Sequence, residues 1–330
     1  MQVDIAIIGA GPVGIFSVFQ AGMLGMRSCI IDALDSPGGQ CNALYPEKPI
    51  YDIPGYPEIQ AQTLIEKLQE QSAPFYPTYL QSRQVTSLIS ENNIFKLGTS
   101  KGDIIEAKAV IIAAGAGSFG PNRPPLENIK NYEGKSVFYF VSKRQDFADK
   151  KVVIAGGGDS AVDWAVSLSS IAEVTVVHRR PKFTAHPASV EKLNELNNRG
   201  KIKIITDFQL SALEGEGDIL KKIIISDLNK NKKTIEADVL LPFFGLRQDL
   251  GPLLDFGLEL KNNHILVNTP YYETNIAGIY AVGDVASYAG KLKLILTGFA
   301  EVASALHHAY SRVFDGKALH FEYSTTKGIK

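Results

Sequence analysis

Cysteine is scarce in this chain, which has only Cys29 and Cys41 among its 330 residues. Two cysteines are too few for a disulfide framework or a structural zinc site, and the sequence contains no C-x-x-C pair for a dithiol relay. It also lacks a His/Glu helix motif, a G-x-S-x-G motif and a P-loop, so metal-dependent, hydrolase and nucleoside triphosphatase classes have no support. We therefore expect no metal, and a reducing, cytoplasmic location.

An excess of charge of either sign is also missing. The 34 Lys and Arg residues against 35 Asp and Glu residues give a formal net charge of −1. No global field therefore favours nucleic acid or a membrane surface as a partner. With 45% hydrophobic and 21% charged residues, the composition is typical of a globular protein. The length predicts about two domains.

The segment 5–26 contains no charged residue and could be mistaken for a membrane span or a signal peptide. However, Gly9, Gly11 and Gly14 interrupt it, and only Asp4 precedes it where a signal peptide would carry positive charge. We therefore interpret this segment as a strand, a turn and a helix.

Short β-branched runs alternate with longer helical stretches, which is typical of parallel sheets with crossover helices. The runs predicted as buried strands are Val3–Ile8, Cys29–Asp32, Val110–Ala113, Val152–Ala155, Val174–His178 and Ile202–Ile205. Glycine and proline breaks at 115–125 and 243–249 separate two copies of this plan. The sequence predicts an α/β fold with two Rossmann-like domains, the second (117–243) inserted into the first (1–116 and 244–330).

The first copy carries a G-x-G-x-x-G motif at Gly9, Gly11 and Gly14, directly after a predicted strand. Such glycines permit a tight turn and close approach of the backbone to a pyrophosphate, and the following helix offers unpaired N–H groups. Asp32 ends the next strand, where a carboxylate can accept hydrogen bonds from a ribose. This combination predicts a site for FAD or NAD.

The second copy carries G-x-G-x-x-A at Gly156, Gly158 and Ala161. Its next strand ends in Arg179 and Arg180, where the first copy has an aspartate. Arginines suit a 2′-phosphate, so this site is predicted to prefer NADP. The alternative is an ordinary solvated strand end.

Two further features have less specific explanations. Asp284 follows an apolar strand and could hydrogen-bond a sugar-like chain, although Gly-Asp is also a common turn. Cys41 follows Gly38-Gly39-Gln40 and lies either near a cofactor or in the core, whereas Cys29 is predicted to be a core residue.

Together these segments resemble the bacterial-type ferredoxin–NADP(+) reductases of thioredoxin reductase-like architecture. The segments that carry the resemblance span nearly the whole chain: Gly38–Gln40, Ala43–Lys48, Gly156–Ala165, His178–Phe183 and Thr297–Glu301.

The resemblance implies FAD in the first domain and NADP in the second. It places FAD on Gly9, Gly11, Gly14, Asp32, Gln40, Tyr45, Val85, Phe119, Asp284 and Thr325, with Tyr45 stacking on the isoalloxazine ring. In a homodimer, Tyr323 would cover the other flavin face of the partner subunit, where relatives often have histidine. NADP would lie along Gly156–Ala161 with its phosphate on Arg179 and Arg180. Relatives that carry a disulfide often have one more arginine, where this chain has Thr184 or Ala185.

The implied activity is NADPH-dependent reduction of ferredoxin or flavodoxin, by hydride transfer to FAD and then single-electron release. Because the flavin supplies the chemistry, no classical catalytic residue is nominated. An acidic ferredoxin would suit a basic surface, and the candidate groups, if they are more than solvated faces, are Lys221 and Lys222, Lys230, Lys232 and Lys233, and Lys291 and Lys293. Two alternatives stay open: the same scaffold with a quinone, free flavin or disulfide protein as acceptor, and a flavin redox sensor without turnover.

Overall fold

The computed structural model describes residues 1–320 together with Thr325 and Gly328. The chain divides into two units, one formed by Met1–Phe119 with Gln248–Lys330 and the other by Gly120–Arg247. From sequence, the corresponding boundaries were expected after residues 116 and 243. The chain passes from one unit to the other within two short strands, at 118–121 and 246–249. These two strands pair with each other.

The strands are β1 (Gln2–Ile8), β2 (Ser28–Ile31), β3 (Pro49–Ile50), β4 (Ile59–Gln60), β5 (Thr78–Leu80), β6 (Val85–Glu91), β7 (Ile94–Thr99), β8 (Ile104–Ile112), β9 (Ser118–Pro121), β10 (Lys151–Ala155), β11 (Glu173–His178), β12 (Ile202–Thr206), β13 (Gln209–Glu216), β14 (Ile219–Ser226), β15 (Lys232–Glu236), β16 (Val239–Pro242), β17 (Leu246–Asp249), β18 (Leu260–Lys261), β19 (His264–Leu266), β20 (Ile279–Ala281) and β21 (Ala286–Ser287). The α-helices are α1 (Pro12–Met23), α2 (Gln40–Leu44), α3 (Ala61–Ser72), α4 (Ile129–Tyr132), α5 (Asp159–Leu168), α6 (Pro187–Asn198) and α7 (Ile295–Val313). Short 3-10 helices span Ala73–Phe75, Arg144–Phe147, Gly251–Asp255 and Gly283–Val285.

The main sheet of the first unit has the strand order β5-β2-β1-β8-β7-β6, and β20 also pairs with β8. The pairs β1–β2, β1–β8, β2–β5 and β8–β20 are parallel, whereas β7 and β6 continue the sheet in antiparallel fashion. Five parallel strands therefore end at one edge of the sheet, namely β1, β2, β5, β8 and β20.

Both faces of this sheet are buried, as the near-continuous apolar composition of β1 requires. Ile5 and Ile7 pack with α1, α3 and α7 on one face, whereas Ala6 and Ile8 pack in a second cluster on the opposite face. This division follows from the two-residue period of a strand, which sends alternate side chains to opposite faces.

The uncharged segment 5–26 forms β1, a glycine turn and α1, as predicted. Within the part of the chain that the structure describes, no helix is both long enough and apolar enough to cross a membrane.

The second unit repeats the parallel plan in a smaller form. Its sheet has the order β12-β11-β10-β16 with parallel pairing throughout, and the strands predicted at Val152, Val174 and Ile202 are all present. An antiparallel sheet, β13-β14-β15, packs its buried isoleucines Ile223 and Ile225 into the same core as Val153.

Candidate dinucleotide-binding sites

A cavity of about 510 Å³ opens in the first unit at the edge where β1, β2, β8 and β20 end. Such an edge is where ligands bind in open parallel sheets. The residues that line the cavity are Ile8, Gly9, Gly11, Pro12, Val13, Ile31, Asp32, Ala33, Leu34, Gly39, Gln40, Cys41, Tyr45, Arg83, Gln84, Val85, Ala113, Ala114, Gly115, Gly117, Leu250, Pro252, Leu253, Gly283, Asp284, Lys293, Leu294 and Ile295.

The three predicted glycines of the first motif have different physical roles. Gly9 has φ +104°, which favours glycine, and a Cβ there would overlap the Ala113 carbonyl group. A Cβ at Gly14 would overlap the Gly9 carbonyl oxygen, so this glycine allows the helix to pack against the turn. A Cβ at Gly11 would meet no described protein atom within 4 Å. Gly11 therefore presents bare backbone to the cavity rather than to the protein.

The N-terminus of α1 points its first amides at this cavity. Gly11 is the N-cap residue and Pro12 begins the helix, and within the described chain no side chain caps the helix start. The first turn contains no acidic residue. Unpaired N–H groups and the positive end of the helix dipole are thus available to an anion.

Asp32 follows β2 and faces the same cavity. Its carboxylate accepts hydrogen bonds from Ala10 N at 2.5 Å and from Leu34 N at 2.8 Å, which fix its orientation. Burial raises the pKa of this carboxyl, and the two backbone hydrogen bonds act in the opposite direction. From the residues that the structure describes, each carboxylate oxygen accepts a single hydrogen bond, so lone pairs remain for hydroxyl groups of a ligand.

The cavity wall also includes four of the predicted contacts, Gln40, Tyr45, Val85 and Asp284. Cys41 lines the cavity with them and also belongs to the buried core that packs with α1 and α3, so both of its predicted environments are present. Burial raises the pKa of the Cys41 thiol to about 11, although a hydrogen bond from Tyr45 acts against this rise. The pKa of Tyr45 is also raised, first by burial and further by Cys41 and Asp284.

A buried carboxylate behind this wall was not predicted. Glu301 on α7 is completely buried and accepts hydrogen bonds from Gly283 N at 2.6 Å and from the Tyr288 hydroxyl at 2.6 Å. It also pairs with the Lys291 ammonium group, whose side chain is 9% exposed. The predicted role of Lys291 on a docking surface is therefore wrong, because this lysine is the buried counterion of Glu301.

The Glu301 network holds the turn that presents Asp284. Gly283 N is the backbone donor immediately before Asp284, so the carboxylate ties α7 to the turn at the end of β20. A sequence signal existed, since Glu301 lies on the buried stripe of α7 with Gly298, Val302 and Ala305. A charge on an apolar helix face requires a buried partner.

The second unit has an equivalent turn between β10 and α5. Gly156 has φ +155°, and a Cβ there would come close to the Phe243 carbonyl oxygen and the Ala161 side chain. Gly158 is the N-cap of α5, and no side chain of the described residues caps it. Thr184 stabilises this loop, because its backbone N donates a hydrogen bond to Gly157 O at 2.8 Å.

Arg179 and Arg180 follow β11, as predicted, and both are exposed. Neither forms an ion pair with any residue that the structure describes. The preceding His178 is packed beneath the loop, where its ring stacks on Phe183 with a centroid distance of 5.2 Å. Burial lowers the pKa of His178, so the two arginines carry the positive charge at this strand end.

Three predicted contacts are not placed at the cavity. Tyr323 lies outside the described residues, and of Phe119 on β9 the structure describes the backbone only. Thr325 is described and exposed, but it does not belong to the lining. The lining contributed by Arg83, Gln84 and the segment 250–253 was not predicted, because it follows strand ends without a recognisable motif.

The sequence profile of the pyridine nucleotide-disulphide oxidoreductase family matches residues 3–309. Among solved structures, the thioredoxin reductase of T. acidophilum has a TM-score of 0.82 at 26% identity, with 95% of this chain and 99% of that chain covered. The thioredoxin reductase of Lactococcus lactis has a TM-score of 0.81 at 25% identity, with the same coverage. The chain belongs to the pyridine nucleotide-disulphide oxidoreductase family. The predicted α/β fold with two Rossmann-like domains is confirmed.

The more similar relatives are ferredoxin–NADP reductases. The protein of that name from Rickettsia felis is 61% identical over 325 residues, which cover 98% of this chain and 97% of the relative. That from Rickettsia typhi is 58% identical with the same coverage. The resemblance drawn from the five segments is thus confirmed across nearly the full length.

The glycine turn gives a first prediction. Gly14→Ala should lower the free energy of unfolding by about 1–3 kcal/mol, because the added methyl group overlaps the Gly9 carbonyl oxygen. Gly11→Ala is the matched control, and it should leave the stability of the flavin-free chain unchanged. Urea denaturation of both variants measures the difference. Equal destabilisation would contradict the separate roles of these glycines.

The Glu301 network gives a second prediction. Glu301→Leu should destabilise the chain by about 3–5 kcal/mol, because it leaves the buried Lys291 ammonium without a counterion. In the double variant with Lys291→Met, much of this loss should be recovered. Denaturant unfolding of the wild type, both single variants and the double variant forms the cycle. Additive losses would show that the two side chains do not act as a pair.

Proposed function

We propose that this chain is an NADPH-dependent FAD flavoprotein that reduces ferredoxin or flavodoxin. The first unit is the FAD-binding domain and the second is the NADP-binding domain. The observation that carries this proposal is the difference between two equivalent strand ends, because Asp32 follows β2 whereas Arg179 and Arg180 follow β11. The first chemistry suits a free ribose, and the second suits a phosphorylated one.

The residues of the first unit fit FAD. Gly11 leaves its backbone bare toward the cavity, the uncapped start of α1 offers amides to a pyrophosphate, and the fixed Asp32 carboxylate can accept from ribose hydroxyls. Gln40, Tyr45, Val85 and Asp284 line the remaining length. Tyr45 would stack on the flavin ring, and Asp284 would hydrogen-bond the ribityl chain.

The second unit fits NADP in a different manner. Gly156, Gly158 and Ala161 place the start of α5 close to a pyrophosphate. Arg179 and Arg180 are free to bind a 2′-phosphate, since they make no ion pair with described residues. Lys182 is exposed two residues beyond them and adds positive charge, which partly replaces the further arginine that this chain lacks at Thr184 or Ala185.

FAD, when bound, accepts two electrons from a nicotinamide and can release them singly. The chain itself has no C-x-x-C pair to take up electrons, so the acceptor is a separate molecule. Relatives at 58–61% identity are named ferredoxin–NADP reductase, which favours a ferredoxin-type carrier over a quinone, a disulfide protein or a sensor without turnover.

We further infer a cytoplasmic homodimer, in which Phe119, Tyr323 and Thr325 complete the flavin environment. These assignments rest on the resemblance to the family. For docking of an acidic carrier, the exposed candidates are Lys221, Lys222, Lys230, Lys232, Lys233 and Lys293. Lys293 has the additional merit that it lines the cavity.

The test of the function is anaerobic stopped-flow mixing of the purified yellow protein with NADPH and then with oxidised ferredoxin. We expect rapid bleaching of the flavin absorbance by NADPH, slower bleaching by NADH, and rapid recovery with ferredoxin. Bleaching without recovery would remove ferredoxin as acceptor. A colourless protein, or a flavin that NADPH does not bleach, would refute the proposal.

The arginine pair gives a third prediction. The double variant Arg179→Gln/Arg180→Gln should lower kcat/KM for NADPH by at least about 100-fold, because each of the two charge-assisted contacts to phosphate contributes about 1.5–3 kcal/mol. The kcat/KM for NADH should stay nearly unchanged. Arg199→Gln removes another exposed arginine of the same unit and is the matched control. An equal loss with both nucleotides would argue against phosphate recognition.

A further inference from the structure

Arg83 lines the FAD cavity beside Asp32, although no motif marks it. Its backbone N donates to Asp32 O at 2.8 Å, and Asp32 N donates in turn to Leu80 O at 3.0 Å. The turn that carries Arg83 is therefore fixed to the turn that carries Asp32 by main-chain hydrogen bonds. The position of the Arg83 backbone does not depend on its own side chain.

The Arg83 side chain is held in one orientation. Its Nε donates to Asp103 Oδ2 at 2.6 Å, and its Nη1 donates to the Gln81 carbonyl oxygen at 2.9 Å. Thr99 Oγ1 donates to the same Asp103 oxygen at 2.9 Å, which fixes the acceptor as well. The hydrogen bonds from Arg83 and Thr99 hold the pKa of Asp103 below its ordinary value. The guanidinium plane is thus anchored, and Nη2 makes no hydrogen bond to a described residue.

The charge of Arg83 is balanced, in contrast to that of Arg179 and Arg180. The Arg83 and Asp103 side chains are 28% and 35% exposed and form a close ion pair. A guanidinium whose charge is already neutralised by a carboxylate binds an additional phosphate weakly, but its flat, delocalised face is retained. Such a face stacks on aromatic rings.

The chemistry of FAD determines which ring lies here. The only ribose of FAD belongs to its adenosine, so a ribose on Asp32 puts the adenine at the same end of the cavity. Among the described lining residues Tyr45 is the only aromatic one, and it lies by Cys41 and Asp284. The described lining near Asp32 therefore has no aromatic side chain, and Arg83 is the lining residue there that carries a flat charged group.

We propose that Arg83 is an adenine-stacking residue, whose guanidinium, anchored by Asp103, makes the chain select FAD over FMN. This inference rests on the proposed function, because it assumes that the first unit binds FAD. It adds a specificity-determining residue that acts at the adenosine end, away from the flavin ring.

The experiment is a competition. The holoenzyme is equilibrated with a mixture of FAD and FMN, and the bound flavins are then released and quantified. Arg83→Met should lower the bound ratio of FAD to FMN by about tenfold. Arg83→Lys should lower it to a similar extent, because an ammonium group keeps the charge but lacks the plane. Arg83→Tyr should restore most of the ratio, because a phenol ring also stacks on adenine.

Two further variants serve as controls. Arg27→Met removes a guanidinium that also faces an aspartate, Asp4 at 3.6 Å, but that does not line the cavity, so the ratio should not change. Asp103→Asn should give an intermediate ratio, because the guanidinium loses its anchor but not its plane. Thermal unfolding of each variant shows whether the fold is intact.

The outcomes separate the inference from the function on which it rests. A wild-type ratio in Arg83→Met, or a ratio preserved by Arg83→Lys and not by Arg83→Tyr, would overturn adenine stacking while the chain remains an FAD protein. A wild-type chain that binds no flavin would overturn the proposed function, and the inference with it.

Discussion

Parallel pairing of β1 with β2 and β8 is the constraint on which the first unit depends. It brings the Gly9–Gly14 turn, Asp32 and the Ala113–Gly115 segment to one edge, although they are far apart in the chain. The pairing of β20 with β8 adds Asp284 to the same edge. In the second unit, β10 pairs in parallel with β11 and β16 in the same way. The residues that follow the equivalent strands differ in charge, since Asp32 follows β2 whereas Arg179 and Arg180 follow β11. One architecture thus provides two chemically distinct sites.

The elements that could be predicted from the sequence are those whose signal is local. A glycine motif between a strand and a helix fixes the turn through sterics, so Gly9, Gly14 and Gly156 could be located from the chain alone. Asp32 and Arg179 follow from their distance to those motifs. Strand existence was also predictable, although the first half of β8 was missed because the charged residues Glu106 and Lys108 interrupt its apolar run.

The remaining features depend on contacts between distant residues, and composition does not reveal them. Lys291 has the sequence context of a solvated lysine, and only the fold places Glu301 against it. Arg83 likewise meets Asp103 through the hairpin that joins β7 and β8. In both cases a buried or half-buried charge is tolerated because its partner is held in place by other hydrogen bonds. Such ion pairs stabilise the residues of the cavity wall, and no sequence motif marks them.

Cys41 has a consequence for the family to which this chain belongs. It puts a sulfur atom in the wall of the flavin cavity, within reach of Tyr45. Because burial raises the pKa of this thiol to about 11, the sulfur is protonated at neutral pH. A protonated thiol neither attacks a flavin ring nor exchanges with a disulfide. This sulfur is therefore unreactive. Although the fold is shared with dithiol enzymes, electron transfer in this chain depends on the flavin alone.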